Sequence, residues 1–125
     1  MTEFFEALGR YDFAAAAELV DENAVYTNVP MPPAIVGRDA IKQTCEGLFT
    51  LAHGLKMIIR DQIQDGEIVM NRRSDTWTWN RTGIVINLEI MGYFVVKNGL
   101  ITVWTDYYDE ETTQTAKHLK LEGLA

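Results

Sequence analysis

The chain has 125 residues, 47% hydrophobic and 23% charged, with a formal net charge of -7. That length fits one domain (1–125) with a real core. The acidic excess, with no basic cluster to offset it, argues against a nucleic-acid-binding surface.

No apolar run reaches membrane-spanning length, and the acidic start "MTEFFEALGR" is unlike a signal peptide. The single cysteine, Cys45, excludes an internal disulfide and suits a reducing cytoplasm. One thiol and two scattered histidines do not supply a metal-ligand set, and no G-x-G-x-x-G or P-loop pattern supports nucleotide binding.

"MTEFFEALGRYDFAAAAELVDENA" reads as helical, with Phe4, Phe5, Leu8, Phe13, Ala16, Ala17 and Val20 at helical spacing and Asp12 as the N-cap of a second segment. An extended piece, "AVYTNV" (24–29), follows, then a proline-bearing loop, "PMPPAIVG", that continues neither element. "GRDAIKQTCEGLFTLAHG" predicts another helix, with Ile41, Cys45, Leu48, Phe49 and Ala52 on one face and Gly54 as its stop. Beyond it, turn signals at 64–67, 80–83 and 97–100 separate four strand-like runs, at 55–64, 67–79, 84–96 and 100–109. "EETTQTAKHLKL" suggests a short terminal helix. Helices followed by a meander imply an α+β fold with helices packed on one side of a curved sheet.

Alternation through "NRRSDTWTW" (71–79) puts Asn71, Arg73, Asp75, Trp77 and Trp79 on one face, and Arg72, Ser74, Thr76 and Thr78 on the other. Burying the tryptophans therefore carries an arginine and an aspartate inward. In the next strand Ile84, Ile86, Leu88 and Ile90 form the face expected to be buried, with Glu89 outward. A four-residue "NRTG" loop sets Trp79 opposite Ile84, Asp75 opposite Leu88 and Arg73 opposite Ile90. A three-residue loop at Lys97-Asn98-Gly99 pairs Val96 with Leu100 and so Ile90 with Asp106. A two-residue turn there would pair Asp106 with Met91, on the wrong face. The same reasoning at Asp65-Gly66-Glu67 sets Met57 beside Asp75 and Ile59 beside Arg73. Arg73, Ile90 and Asp106 are then expected in one row, with Asp75 one step along.

A buried structural ion pair is the plainest account of these charges, although desolvation commonly cancels the Coulomb gain of such pairs. A solvated strand edge is another. Neither explains the odd carboxylate, which leaves net negative charge among apolar neighbours. Two carboxylates on one guanidinium resist full ionisation. Charges about 4 Å apart interact by about 4 kcal/mol at an effective dielectric of about 20, roughly 3 pKa units. One aspartate can stay protonated while its partner is ionised, giving an acid and a base in one site. Physics alone does not say which is which. Tyr26 and Asn28 share a strand face, either as a core tyrosine and a loop-starting asparagine or as two groups that together hold a water.

"RSD" (73–75), "WTDYYD" (104–109) and "YTN" (26–28), with the loop "VPMPP" and "GRDAI", resemble the limonene-1,2-epoxide hydrolases, a group within the NTF2-like, SnoaL-like cone fold. The resemblance runs over nearly the whole chain. It implies one-step hydrolysis of a small hydrophobic epoxide to a vicinal diol, with no covalent intermediate and no cofactor or metal. By that likeness Asp106 is the general base on a water also held by Tyr26 and Asn28, Asp75 is the general acid, and Arg73 bridges the two. Trp77, Tyr108, Leu48, Leu55, Met57, Ile86, Leu88 and Ile90 are then the substrate-lining positions. The likeness also suggests a homodimer, and a pocket-covering N-terminal extension that is short or missing here.

An isomerase or cyclase of the same fold is the rival enzyme class, with Tyr26 and Asp106 in its roles but no task for Arg73 beside Asp75. A non-catalytic carrier of hydrophobic ligands is the other alternative. His53 reads as a helix C-terminal residue, His118 as part of a polar tail, Cys45 as core and Asp109 as a cap for the last helix.

Overall fold

The structure is a computed structural model, and it describes residues 1–31 and 33–109. Its elements run α1 (Thr2–Gly9), α2 (Phe13–Glu18), β1 (Val20–Asn28), β2 (Ile35–Val36), α3 (Arg38–Phe49), β3 (Ala52–Asp65), β4 (Ile68–Trp79), β5 (Val85–Lys97) and β6 (Leu100–Tyr107). The six strands form one curved sheet in the order β2-β1-β6-β5-β4-β3. All neighbours are antiparallel except β1 and β6, which run parallel. The expected mixed α+β plan holds.

Asp12 caps α2 as expected, its carboxylate accepting from the Ala15 N–H at 3.0 Å. The helical reading then runs too far. α2 ends at Glu18, and Val20 is already paired with Ile101. The Ile101 N–H bonds the Leu19 carbonyl at 2.8 Å, so a distant strand overrides the local alanine-rich preference. Ile35 and Val36, read as loop, make a short edge strand on β1.

α3 stops at Phe49, with Thr50 as its C-cap. Gly54 therefore ends no helix. It sits in β3 at a φ of 68°, where the β3–β4 register slips between His53 and Lys56. His53 is correspondingly on β3, its Nδ1 2.6 Å from Asn80 Oδ1.

The β4–β5 register is the expected one: Arg73 faces Ile90, Asp75 faces Leu88, and the Trp79 N–H bonds the Ile84 carbonyl. Met57 beside Asp75 and Ile59 beside Arg73 also hold. The last hairpin differs. Its turn is two residues, Asn98-Gly99, both at positive φ, pairing Lys97 with Leu100. A bulge between Val95 and Val96 then moves the register on by one, so Asp106 lies opposite Gly92, not Ile90. The bulge restores the face that the two-residue turn alone would have lost, and Asp106 still points inward.

Helices cover the concave face. Phe4, Phe5 and Leu8 of α1, with Ile41, Cys45 and Phe49 of α3, pack there with Phe94, Trp104, Ile101 and Trp79 of the sheet. Phe4, Phe5, Phe94 and Trp104 meet mostly edge to face, with centroids 5.2–6.4 Å apart. Ile84 was expected in this core but is 49% exposed, since it lies in the turn before β5 begins. The terminal-helix expectation and His118 lie outside the described residues. Asp109 is described and exposed.

Candidate functional site

The inner face of β4 reads Val69, Asn71, Arg73, Asp75, Trp77, Trp79, every one buried, while Arg72, Ser74, Thr76 and Thr78 alternate outward. Arg72 pairs with exposed Asp61, and the Ser74 hydroxyl donates to Glu89 at 2.8 Å, so the outer charges solvate one another. The same alternation brings Asp106 inward on β6. Arg73, Asp75 and Asp106 are 0, 3 and 2% exposed. Burial this deep makes their mutual contacts decisive, because charges there need partners.

They have them. Arg73 Nε donates to Asp75 Oδ1 at 2.9 Å, and Nη2 reaches Asp75 Oδ2 at 3.2 Å. The same Nη2 donates to Asp106 Oδ2 at 2.9 Å, and Nη1 reaches Asp106 Oδ1 at 3.3 Å. One planar fork therefore holds both carboxylates, each through two contacts. Register explains how. Arg73 faces Ile90 across the ladder, but Asp106 faces Gly92, one inward position further along β5. The long arginine side chain spans that offset, and a side chain on Gly92 would collide with Asn71 Oδ1 and the Phe94 ring, which already fill the space beside it.

Trp104 and Phe5 complete the cluster, and neither was identified from the sequence. Trp104 Nε1 donates to Asp106 Oδ1 at 3.0 Å. Its ring stacks on Tyr26, with centroids 3.7 Å apart at an interplanar angle of 11°. The signal for Trp104 was present in "WTD", since a residue two before Asp106 shares its face. Phe5 comes from α1, and its ring centre lies 4.2 Å from the guanidinium carbon of Arg73. Nothing in the strand pattern announces that contact, which depends on how α1 docks.

Tyr26 and Asn28 sit on β1, the parallel neighbour of β6, opposite Trp104 and Asp106 respectively. The Tyr26 hydroxyl donates to Asn28 Oδ1 at 3.2 Å. Leu55, Trp77, Ile86, Leu88 and Ile90 are buried on the same concave face, and Met57 is half-buried beside Asp75. Leu48 and Tyr108 are half-buried at the margin of the core. Tyr108 is close enough to Tyr26 to disfavour its ionisation. Cys45 reads as core and is buried.

Electrostatics separate the groups. Burial outweighs the Arg73 contacts at Asp75, and the nearby Asp106 adds to it, lifting its pKa to about 6. Burial works against the charge of Arg73, but Asp106 and Asp75 more than reverse this and raise its pKa further. Burial, then the Asp106 charge, raises Tyr26 well above an ordinary phenol, so it stays a hydroxyl. The same two causes push Cys45 up to about 12, leaving a thiol rather than a thiolate. Among the described residues no cluster of histidine, cysteine, aspartate or glutamate has metal-binding geometry.

A family model for the SnoaL-like domain matches residues 1–104. The chain belongs to that family. Among solved structures, this SnoaL-like chain is similar to an LEH-like epoxide hydrolase from M. tuberculosis, at 24% identity and a TM-score of 0.80, covering 98% of this chain and 90% of the other. A protein with a ketosteroid isomerase-like fold from Catenulispora acidiphila, solved with trimethylamine, gives 15% identity and a TM-score of 0.82, covering 99% and 92%. A candidate SnoaL-like polyketide cyclase from Shewanella putrefaciens gives 13% and 0.78, covering 96% and 93%. At these identities the likenesses show a shared NTF2-like fold, and that fold hosts several chemistries.

Proposed function

We propose that this SnoaL-like protein is an epoxide hydrolase of the limonene-1,2-epoxide hydrolase type, acting on a small hydrophobic epoxide. The observation that carries the reading is the single guanidinium shared by Asp75 and Asp106, both buried. An isomerase on this fold needs one carboxylate and a proton donor for an enolate oxygen, and leaves the arginine bridge without a task.

In this mechanism Asp106 is the base, since its oxygens accept from Arg73 and Trp104 and remain fixed next to Asn28. A water donates one proton towards Asp106 and the other to the Tyr26 oxygen, and accepts from the Asn28 amide. One lone pair is left for attack. As the water oxygen bonds to an epoxide carbon, that C–O bond breaks and Asp75 gives its proton to the departing oxygen. Asp106 ends protonated and Asp75 ionised. The two carboxylates carry one negative charge throughout, and Arg73 touches both, so little reorganisation accompanies the transfer. Each positioned acid or base contributes about 10²–10⁴-fold. Proton exchange with water resets the pair.

Turnover of a cyclic epoxide in oxygen-labelled water should place the label in the diol within a single turnover. Label arriving first in the protein would mean a carboxylate nucleophile and end this reading. Asp75→Asn and Asp106→Asn should each lower kcat by at least about 10²-fold with the far-ultraviolet circular dichroism unchanged, and an active variant would remove its residue from the mechanism.

A further inference from the structure

Among the described residues, Asn71 Oδ1 and Trp77 Nε1 are buried polar atoms with no hydrogen-bond partner. Both project from the inner face of β4, and they flank Arg73 and Asp75 two residues to either side. A buried N–H left unpaired is rare, because its desolvation is not compensated.

The two ends of this face differ. At Asn71 the space is filled by protein. A Cβ on Gly92 would stand 2.7 Å from both Asn71 Oδ1 and the Phe94 ring, and the Asn71 amide already donates to Gln62 at 3.3 Å. At Trp77 the neighbours are apolar apart from Asp75. Ile86 faces it across β5, and Asp75, Leu88 and Leu55 share the concave surface. Trp79 meets it edge to face, with centroids 5.6 Å apart. Trp77 and Asp75 share the inner face of β4, so on the proposed mechanism an epoxide taking its proton from Asp75 lies on the face that Trp77 shares.

We propose that the Trp77 indole N–H anchors the substrate, and that the substrate is an epoxide carrying a hydrogen-bond acceptor (an ester, ketone, ether or hydroxyl oxygen) elsewhere on its skeleton. The inference rests on the epoxide-hydrolase reading and narrows its substrate class. A hydrocarbon epoxide would leave the donor unpaired in the complex as well. An acceptor makes use of a group whose desolvation is already complete in the folded protein, which is how a site favours a polar substrate over its apolar analogue.

The test compares two substrates, the methyl ester of an epoxycyclohexanecarboxylic acid and vinylcyclohexene oxide, in wild type and in Trp77→Phe. The ratio of their kcat/KM values should favour the ester by about three- to tenfold in wild type, as one neutral hydrogen bond allows, and should fall towards unity in Trp77→Phe. The Trp77 indole proton resonance of the wild-type protein should move downfield on titration with the ester, and less with the vinyl compound. Equal ratios in the two proteins, or an indole proton that the ester leaves unmoved, would overturn the anchor and indicate that the N–H rests on the Trp79 ring. If neither epoxide is hydrolysed the reaction assignment fails, and the indole titration, which needs no turnover, still decides the anchor.

Discussion

Arg73 is the residue on which the site depends, because it is fully buried and meets both carboxylates through one plane. Lysine would keep the charge but present a point donor where two forks are held, leaving carboxylate oxygens buried without partners. Arg73→Lys should therefore lower kcat by at least about tenfold and reduce stability by about 3 kcal/mol, read by steady-state kinetics and urea unfolding. Asp75 sets a pH dependence. On the proposed mechanism its proton is the one delivered to the leaving oxygen, and burial has raised its pKa to about 6. On the proposed mechanism kcat should decline as pH rises through that value, and a profile still rising above it would remove Asp75 as the acid. Phe5, seated on the guanidinium, helps keep water from this group.

At the scale of elements, β5 and β6 decide the geometry through a two-residue turn and a bulge that act in opposite senses. The turn alone would pair Asp106 with Met91 and send its carboxylate to the exposed face; the bulge returns it to the inside opposite Gly92. Gly92→Ala would drive a methyl carbon to 2.7 Å from Asn71 Oδ1 and the Phe94 ring. The expected cost is about 1–3 kcal/mol, measured as a lowered urea midpoint with unchanged slope. Much of this layer was legible from alternation and turn residues: Arg73 against Ile90, Asp75 against Leu88 and Met57 against Asp75 all follow from them. The partner of Asp106 was not, because a bulge has no residue signature in "LITVWTD" comparable to the Asn-Gly of the turn. The start of β1 was missed for a different reason. Its first residues are held by Leu19 and Val20 pairing with Ile101, about eighty positions away in the chain.

For the whole molecule, the charge buried in the site makes stability depend on pH. Asp75 holds its proton more tightly when folded than when unfolded, so its contribution is fully present below the ordinary carboxylate range. It is lost as pH rises to about 6. Thermal unfolding of the wild type should show this fall, and Asp75→Asn, which has no proton to lose, should show a shallower one. Equal slopes would mean that Asp75 titrates alike in both states. The sequence by itself determined the α+β class, the faces of the central strands and the inward course of Arg73 and Asp75, because a period of two fixes the side once one hydrophobic neighbour is known. Only the tertiary structure decided that Gly92 would stand opposite Asp106, that Trp104 would donate to it, and that Phe5 would close over Arg73. Those contacts join segments far apart in the chain, and they depend on a bulge and on the docking of a helix, which local preference does not encode.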